Sequence, residues 1–276
     1  MKTGIIIPCY NEEKRLNVNT FVEFIQTHNQ YHLCFVNDGS KDNTLSVLEE
    51  IKKQAKTKIS IVDVKKNAGK AAAVRSGARY LFNRQDVDYI GFIDADLSTN
   101  FNDFKKLVET LHNNDQFYLV YGSRGKGDGR IERNLIRKVC SAFVKMIVFL
   151  ILGLPIEDTQ CGAKVFRRQI IPVAFDKKFL TRWLFDVEIF IRMKKYFGSK
   201  QIMNRMYEQP LELWVHVEDS KLGLKDSLKI PFMLINIWYS YRIAQLFSDS
   251  NTVDNQVVFE EVNIISTNNS NQQIAA

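Results

Sequence analysis

Residues Ile90 to Thr99 read IGFIDADLST. The apolar run from Tyr89 to Ile93 is made of residues that suit a buried strand, and it stops on Asp94-Ala95-Asp96. In a strand, residues two apart point to the same side, so as the strand ends both carboxylates can converge on one point just beyond the sheet. Two hard oxygen donors suit Mg²⁺ or Mn²⁺ better than Zn²⁺. Mg²⁺ in particular is usually held by one or two carboxylates plus phosphate oxygens of a substrate. The competing reading is a polar turn in which Asp94 caps the following helix.

Working outward, strand and helix patterns alternate. Gly4–Ile7 reads as a strand stopped by Pro8, and Val18–Thr27 as a helix. Leu33–Val36 is a second strand, ending in Asn37-Asp38-Gly39-Ser40, and Asp42 or Thr44 starts a helix to about Lys56. Ile59–Val64 is a third strand. Ala71–Asn83 is a small-residue helix able to lie close on a sheet. Phe101–Asn113 is a helix and Tyr118–Tyr121 a strand. Such alternation predicts an α/β domain with a parallel sheet and crossover helices. Ligands of such sheets bind beyond the carboxyl ends of the strands. The polar loops at Tyr10–Glu12, Asn37–Ser40 and Asp94–Asp96 all follow strands there, which argues for a nucleotide cleft. There is no GxGxxG or Walker sequence.

The 276 residues carry a net charge of +7, but the segment from Ser248 onward holds four acidic residues and no Lys or Arg, so the body before it is more basic still. A basic body calls for an anionic partner such as nucleotide phosphates or a membrane surface. No nucleic-acid module is visible. Cys9, Cys34, Cys140 and Cys161 have no paired or metal-like spacing and read as free thiols of a reducing compartment. No signal peptide is legible, and no apolar stretch reaches the roughly 18–20 residues of a spanning helix.

Taken together, four motifs in order and spacing resemble the family 2 glycosyltransferases of the glycosyltransferase A fold. They are IIIPCYNEE from Ile5, VNDGSKDNT from Val36, NAGKAAAVRSG from Asn67 and FIDADLST from Phe92. GSRGKGDG from Gly122, EDTQCGAKVFRR from Glu157, RWLFDVE from Arg182 and WVHVEDSKL from Trp214 make the chain most like the dolichyl- or polyprenyl-phosphate glucosyltransferase and mannosyltransferase branch. The resemblance covers about residues 3–222. Ala163 stands where that branch usually has an aromatic residue, Asn100 where Pro is common, and Asp219 where Gly is usual.

The resemblance implies a Rossmann-like, mostly parallel central sheet flanked by helices and a nucleotide-sugar donor, UDP-glucose or GDP-mannose. It places the nucleoside on Pro8, Tyr10 and Glu12. Tyr10 would pack on base or ribose and Glu12 would accept from ribose hydroxyls. Asp38 would accept from a ring N–H of the base; otherwise it makes an Asx turn with Gly39-Ser40. Lys70, after Gly69 at a helix start, would reach base or phosphate. Asp96 would bind the metal directly, with Asp94 on ribose or metal, and the cation would neutralise the leaving diphosphate. Asp158 would sit across the cleft near the sugar. A lipid phosphate is already ionised and needs cations rather than a base. The basic residues Arg124, Lys126, Arg130, Arg133, Arg137, Lys138 and Lys145 lie between the two acidic motifs, with Arg124 and Arg137 at positions like the phosphate-binding arginines of the synthases.

Two segments predict membrane-interface helices. In Ile131–Leu152, Arg130, Arg133, Arg137, Ser141 and Lys145 form one polar stripe beside Leu135, Ile136, Val139, Phe143, Ile147 and Val148. Leu228–Phe247 mixes Ile230, Phe232, Leu234, Ile237, Trp238 and Tyr241 with Lys229, Asn236 and Arg242, with Pro231 in its first turn. The expected organisation is a catalytic domain over 1–222, an amphipathic interface helix over 223–247 and a polar, disordered tail over 248–276, in which VVFEEVNII from Val257 offers one strand. The expected activity is metal-dependent, inverting transfer of a hexose to a dolichyl or polyprenyl phosphate by a peripheral protein at the cytosolic membrane face. The rival enzyme would glycosylate a saccharide or protein hydroxyl and would need a base, Asp158 or Glu188. A non-catalytic nucleotide-sugar-binding or scaffold protein is the third reading, against which the intact Asp94 and Asp96 count.

Overall fold

The computed structural model describes residues 1–124, 135–212 and 229–248, with side chains for 1–124, 144–212 and 229–242. Among these, seven strands form one sheet in the order β3-β2-β1-β4-β6-β5-β7. The strands are β1 (Thr3–Cys9), β2 (Tyr31–Asp38), β3 (Ile59–Val64), β4 (Tyr89–Phe92), β5 (Leu119–Ser123), β6 (Lys164–Arg167) and β7 (Met206–Pro210). The helices are α1 (Val18–Thr27), α2 (Thr44–Gln54), α3 (Lys70–Phe82), α4 (Phe101–Asn113), α5 (Leu135–Leu152), α6 (Ile171–Phe175), α7 (Phe185–Phe197) and α8 (Ile230–Ser248). β6 is antiparallel to both β4 and β5; the other pairings are parallel.

The period-two pattern of the strands sorts side chains into two cores. Ile5, Ile7, Leu33, Phe35, Val120 and Val165 face α1, α2 and α4, where Phe21, Leu48 and Leu107 meet them. Ile6, Val36, Ile90, Phe92 and Phe166 face α3 and the later helices. Burial on both faces is why these strands read as near-continuous apolar runs. The small residues of α3 let it lie against β1: a Cβ on Gly77 would stand 2.5 Å from Ile6 Cγ2.

Pro8 does not stop the first strand, contrary to the sequence reading; it pairs with Val36. The carbonyl of Ile6 accepts from Ile93 on the β4 side. Two residues on, Pro8 turns its missing N–H to that same side, where β4 has already ended, so no ladder bond is lost. The helix after β2 starts at Thr44, whose N–H and hydroxyl donate to Asp42 Oδ1. The cap of α4 is Asn100, which accepts from the Asp103 N–H at 2.8 Å, so Asp94 is not a helix cap.

α5 and α8 pack on one another, and Val148, Leu152, Leu234 and Ile237 enter the core, so Val148, Leu234 and Ile237, expected at a membrane interface, instead face the protein. Of the polar stripe expected on α5, Lys145 is exposed. The side chains of Arg133, Arg137, Ser141, Leu135, Ile136, Val139, Phe143, Lys138 and Cys140 lie outside those described, as do Lys126 and Arg130, the Trp214–Leu222 motif with Asp219, and the tail with Val257. Cys9, Cys34 and Cys161 are buried.

Candidate active site

The carboxyl edge of the parallel strands gathers the motifs. β1 delivers Tyr10–Glu12, β2 ends on Asp38, the loop after β3 leads to Lys70, and β4 ends two residues before Asp94. β6 runs the other way, so its first residue, not its last, lies on this edge: Lys164 pairs with Phe92 of β4 and Tyr121 of β5. That reversal brings the loop 157–163 to the same place.

The first loop is held in a fixed shape. Asn11 adopts a left-handed conformation at φ 50°. Its N–H donates to Ser40 Oγ at 3.0 Å, and its side-chain oxygen accepts from the Lys41 N–H at 2.8 Å. The Glu12 N–H donates to Thr44 Oγ1 at 2.7 Å. The buried Glu12 carboxylate takes a two-point bond from Arg15 at 2.7 and 2.9 Å. Pro8 and Tyr10 remain half-buried at the strand end.

Asp38 is 2% exposed, and its two oxygens accept from the N–H groups of Ala68 and Gly69 at 2.9 and 2.7 Å. Burial pushes its pKa up, and those two N–H bonds and Arg182 only partly offset that. Among the described residues no side-chain hydrogen bond of Asp38 with the Gly39-Ser40 backbone accompanies these; the Ser40 N–H donates instead to Asn37 Oδ1. Gly69 has φ +95°, and a Cβ there would meet the Arg182 side chain at 2.6 Å, so only glycine suits the position. Arg182 also bonds Asn67 through its guanidinium, and its carbonyl accepts from the Ala71 N–H. The backbone around Lys70 is therefore pinned on both sides.

Lys70 Nζ lies 2.5 Å from Asp94 Oδ1. Burial alone would lower its pKa, but Asp94, then Asp186 and Asp96, together raise it. Asp94 thus meets the Lys70 ammonium from the turn that follows β4. Asp96 Oδ1 also accepts from the Ser98 N–H at 3.0 Å. Leu97, at φ +52°, carries backbone strain in this turn. Gly162 backs the site: a Cβ there would stand 2.1 Å from Asp94 Oδ2. Among the described residues no group of three or more His, Cys, Asp or Glu offers a complete metal cage. Two carboxylates fit Mg²⁺ or Mn²⁺ completed by substrate phosphates, and the Lys70 ammonium stands in for such a cation.

Asp158 is held by Arg124 through bonds of 2.6 and 2.8 Å from the guanidinium and 3.1 Å from the backbone N–H. Burial would raise its pKa, but the Arg124 bond and charge outweigh that and hold the carboxyl below its ordinary value. Glu208 of β7 accepts from the backbone N–H groups of Glu157 and Asp158, fixing the turn. Glu188 is 0% exposed. It accepts from the N–H groups of Leu180 and Thr181 and from the Tyr241 hydroxyl.

Sequence reasoning passed over Lys164, Asp186, Arg182 and Glu208. Lys164 is fully buried; its ammonium meets Asp186 Oδ1 at 2.7 Å and donates to the carbonyls of Thr159 and Cys161 at 3.0 and 2.8 Å. A lysine between Ala163 and Val165 in an otherwise apolar run was the visible signal.

A family model described as glycosyl transferase family 2 matches residues 4–173. The dolichyl-phosphate beta-glucosyltransferase of Dictyostelium discoideum is 30% identical, over 85% of this chain and 76% of its own. That of Saccharomyces cerevisiae is also 30% identical, over 87% and 75%. Among solved structures, Mycobacterium tuberculosis glucosyl-3-phosphoglycerate synthase in complex with Mn²⁺, UDP-glucose and phosphoglyceric acid has a TM-score of 0.60. It is 17% identical, covering 86% of this chain and 80% of that one, a likeness that shows the fold. The chain belongs to glycosyl transferase family 2 and is a glycosyltransferase of the glycosyltransferase A fold.

Proposed function

We propose that this glycosyltransferase moves glucose from UDP-glucose to a dolichyl or polyprenyl phosphate, with inversion and with Mg²⁺ or Mn²⁺. The observation that carries the acceptor is the state of the two candidate bases. Asp158 is spent on Arg124, and Glu188 is sealed among backbone N–H groups. A hydroxyl acceptor needs a base at the attacking oxygen. A phosphate monoester, with a second pKa of about 6, reaches the site already ionised. The relatives named as dolichyl-phosphate beta-glucosyltransferases support the same acceptor.

In this reading Tyr10 and the 37–40 loop hold the nucleoside, and Asp94 and Asp96 hold the cation that the diphosphate completes. The cation, when bound, offsets the charge that grows on the leaving diphosphate. Lys70 supplies a further positive group beside it. Arg124, 39% exposed and braced by Asp158, and Arg137 position the acceptor phosphate against the sugar.

The lipid acceptor calls for a membrane surface. α5 and α8 expose Met146, Phe149, Leu150, Phe232, Ile235, Trp238 and Tyr239. Among the described residues no helix is long and apolar enough to cross a membrane. The exposed apolar side chains support peripheral attachment, with Trp238 and Tyr239 at headgroup depth.

Purified protein incubated with labelled UDP-glucose or GDP-mannose and dolichyl phosphate, followed by lipid extraction, tests the proposal. Label from UDP-glucose in the lipid phase is the expected result. Label only on an added sugar or protein hydroxyl would transfer the case to the rival acceptor.

A further inference from the structure

We propose that Lys70 is a resident counter-ion that occupies Asp94 until a divalent cation arrives, and that cation entry displaces its ammonium towards the donor diphosphate. The inference rests on the metal-dependent reading above and concerns what this chain's own residues do before and during loading.

Three carboxylates, Asp94, Asp96 and Asp186, act on the Lys70 ammonium. Asp186 has its own partner in Lys164. Asp158 has Arg124. Among the described residues Lys70 makes one ion pair, and that is with Asp94. The oxygen it contacts belongs to the carboxylate a metal would use, and an ammonium and a divalent cation on one carboxylate repel each other strongly. The two positive groups therefore compete for Asp94.

The geometry suits exchange rather than loss. The N–H groups of Ala68 and Gly69 are fixed on Asp38, and that of Ala71 on the Arg182 carbonyl. The backbone at Lys70 stays in place while its four-carbon stem swings. Residue 70 opens α3, so the ammonium stays beside a helix N-terminus, where an anion is favoured. A diphosphate arriving with the cation offers the displaced ammonium a new partner. Cation alone should bind weakly, because Lys70 is expelled with nowhere to go. Cation and nucleotide together should bind cooperatively.

The test is a titration of the full chain with Mn²⁺ alone, followed by the paramagnetic signal of the free ion, for wild type and Lys70→Gln. The variant is expected to bind Mn²⁺ alone at least about fivefold tighter, the low end of ordinary coupling between two ligands. It is also expected to bind UDP-glucose more weakly at saturating Mn²⁺. The cooperativity between Mn²⁺ and UDP should shrink by the same factor measured from either side. Unchanged or weaker Mn²⁺ binding in the variant would overturn the exchange and leave Lys70 as a fixed brace of Asp94. If neither protein binds Mn²⁺ even with saturating UDP, the metal-dependent reading itself fails. A measurement on wild type stands independently of how the variant folds. Acetylation of Lys70, read by peptide mass spectrometry, should rise on adding Mn²⁺ alone and fall again on adding UDP. No rise with Mn²⁺ would count against displacement.

Discussion

Lys164→Met tests whether the buried pair with Asp186 holds the loop that carries Asp158. The ammonium forms an ion pair with Asp186 Oδ1 and donates hydrogen bonds to the carbonyls of Thr159 and Cys161. Lys164 is 0% exposed and the Asp186 side chain 6%, so solvent replaces neither partner. Removing one member of such a pair typically costs about 3–5 kcal/mol, because the other charge is left buried. For a domain of this size about 1 kcal/mol moves Tm by about 2–4 °C, so a fall of about 6–20 °C is expected. Burial already pushes the Asp186 pKa above its ordinary value, with Lys164 and Lys70 pulling the other way. Without Lys164 it rises further. A carboxyl whose native pKa exceeds its unfolded one contributes stability below the unfolded pKa and loses it as pH rises through the native value. The deficit of the variant relative to wild type should therefore widen as pH rises above the ordinary carboxylate range. Lys164→Met with Asp186→Leu should recover part of the loss, the remainder being two carbonyls without donors at about 1–3 kcal/mol each. Thermal melts of wild type, Lys164→Met, Asp186→Leu and the double variant by circular dichroism supply the cycle. A single variant within about 2 °C of wild type, or a double variant at the sum of the singles, would refute the argument.

Asp96→Asn should lower glucosyl transfer by at least about 10²-fold at unchanged Tm, and normal turnover in excess Mg²⁺ or Mn²⁺ would remove Asp96 from the cation site. Gly162→Ala puts a methyl into the Asp94 carboxylate. A displacement of about 1 Å should cost about 10²-fold in transfer, measured beside Tm to separate misplacement from unfolding. Replacing Phe232, Ile235 and Trp238 together by Ser should abolish flotation with anionic liposomes while UDP-glucose binding, measured by calorimetry, stays as it was. Retained flotation would shift attachment away from α8.

The first half of the sheet was legible because each strand there is buried on both faces and each crossover helix has its own apolar stripe. Val18–Thr27, Ile59–Val64 and Phe101–Asn113 appear at the predicted bounds. Pro8 misled because a missing N–H matters only where a neighbouring strand is present to receive it. The placement of Asp94 and Asp96 just beyond the end of β4 followed from the apolar run before them. The partners of the site residues did not. Glu12 with Arg15 and Asp38 with the 68–69 backbone depend on how loops close. Arg124 with Asp158 and Lys164 with Asp186 join residues whose proximity follows from the reversal of β6, which no local pattern announces.

That reversal also sets an order of assembly. β4 and β5 follow one another in the chain yet never touch; the slot between them belongs to β6, which comes about forty residues after β5. A nascent chain that has emerged only through Ser123 carries two open strand edges facing a gap one strand wide. Parallel crossovers can build the first four strands as the ribosome supplies them, but β5 gains its place only when Lys164–Arg167 arrives to bridge it. Until then those edges are templates for pairing with another chain, so the insertion of this four-residue strand is the step at which productive folding and aggregation part.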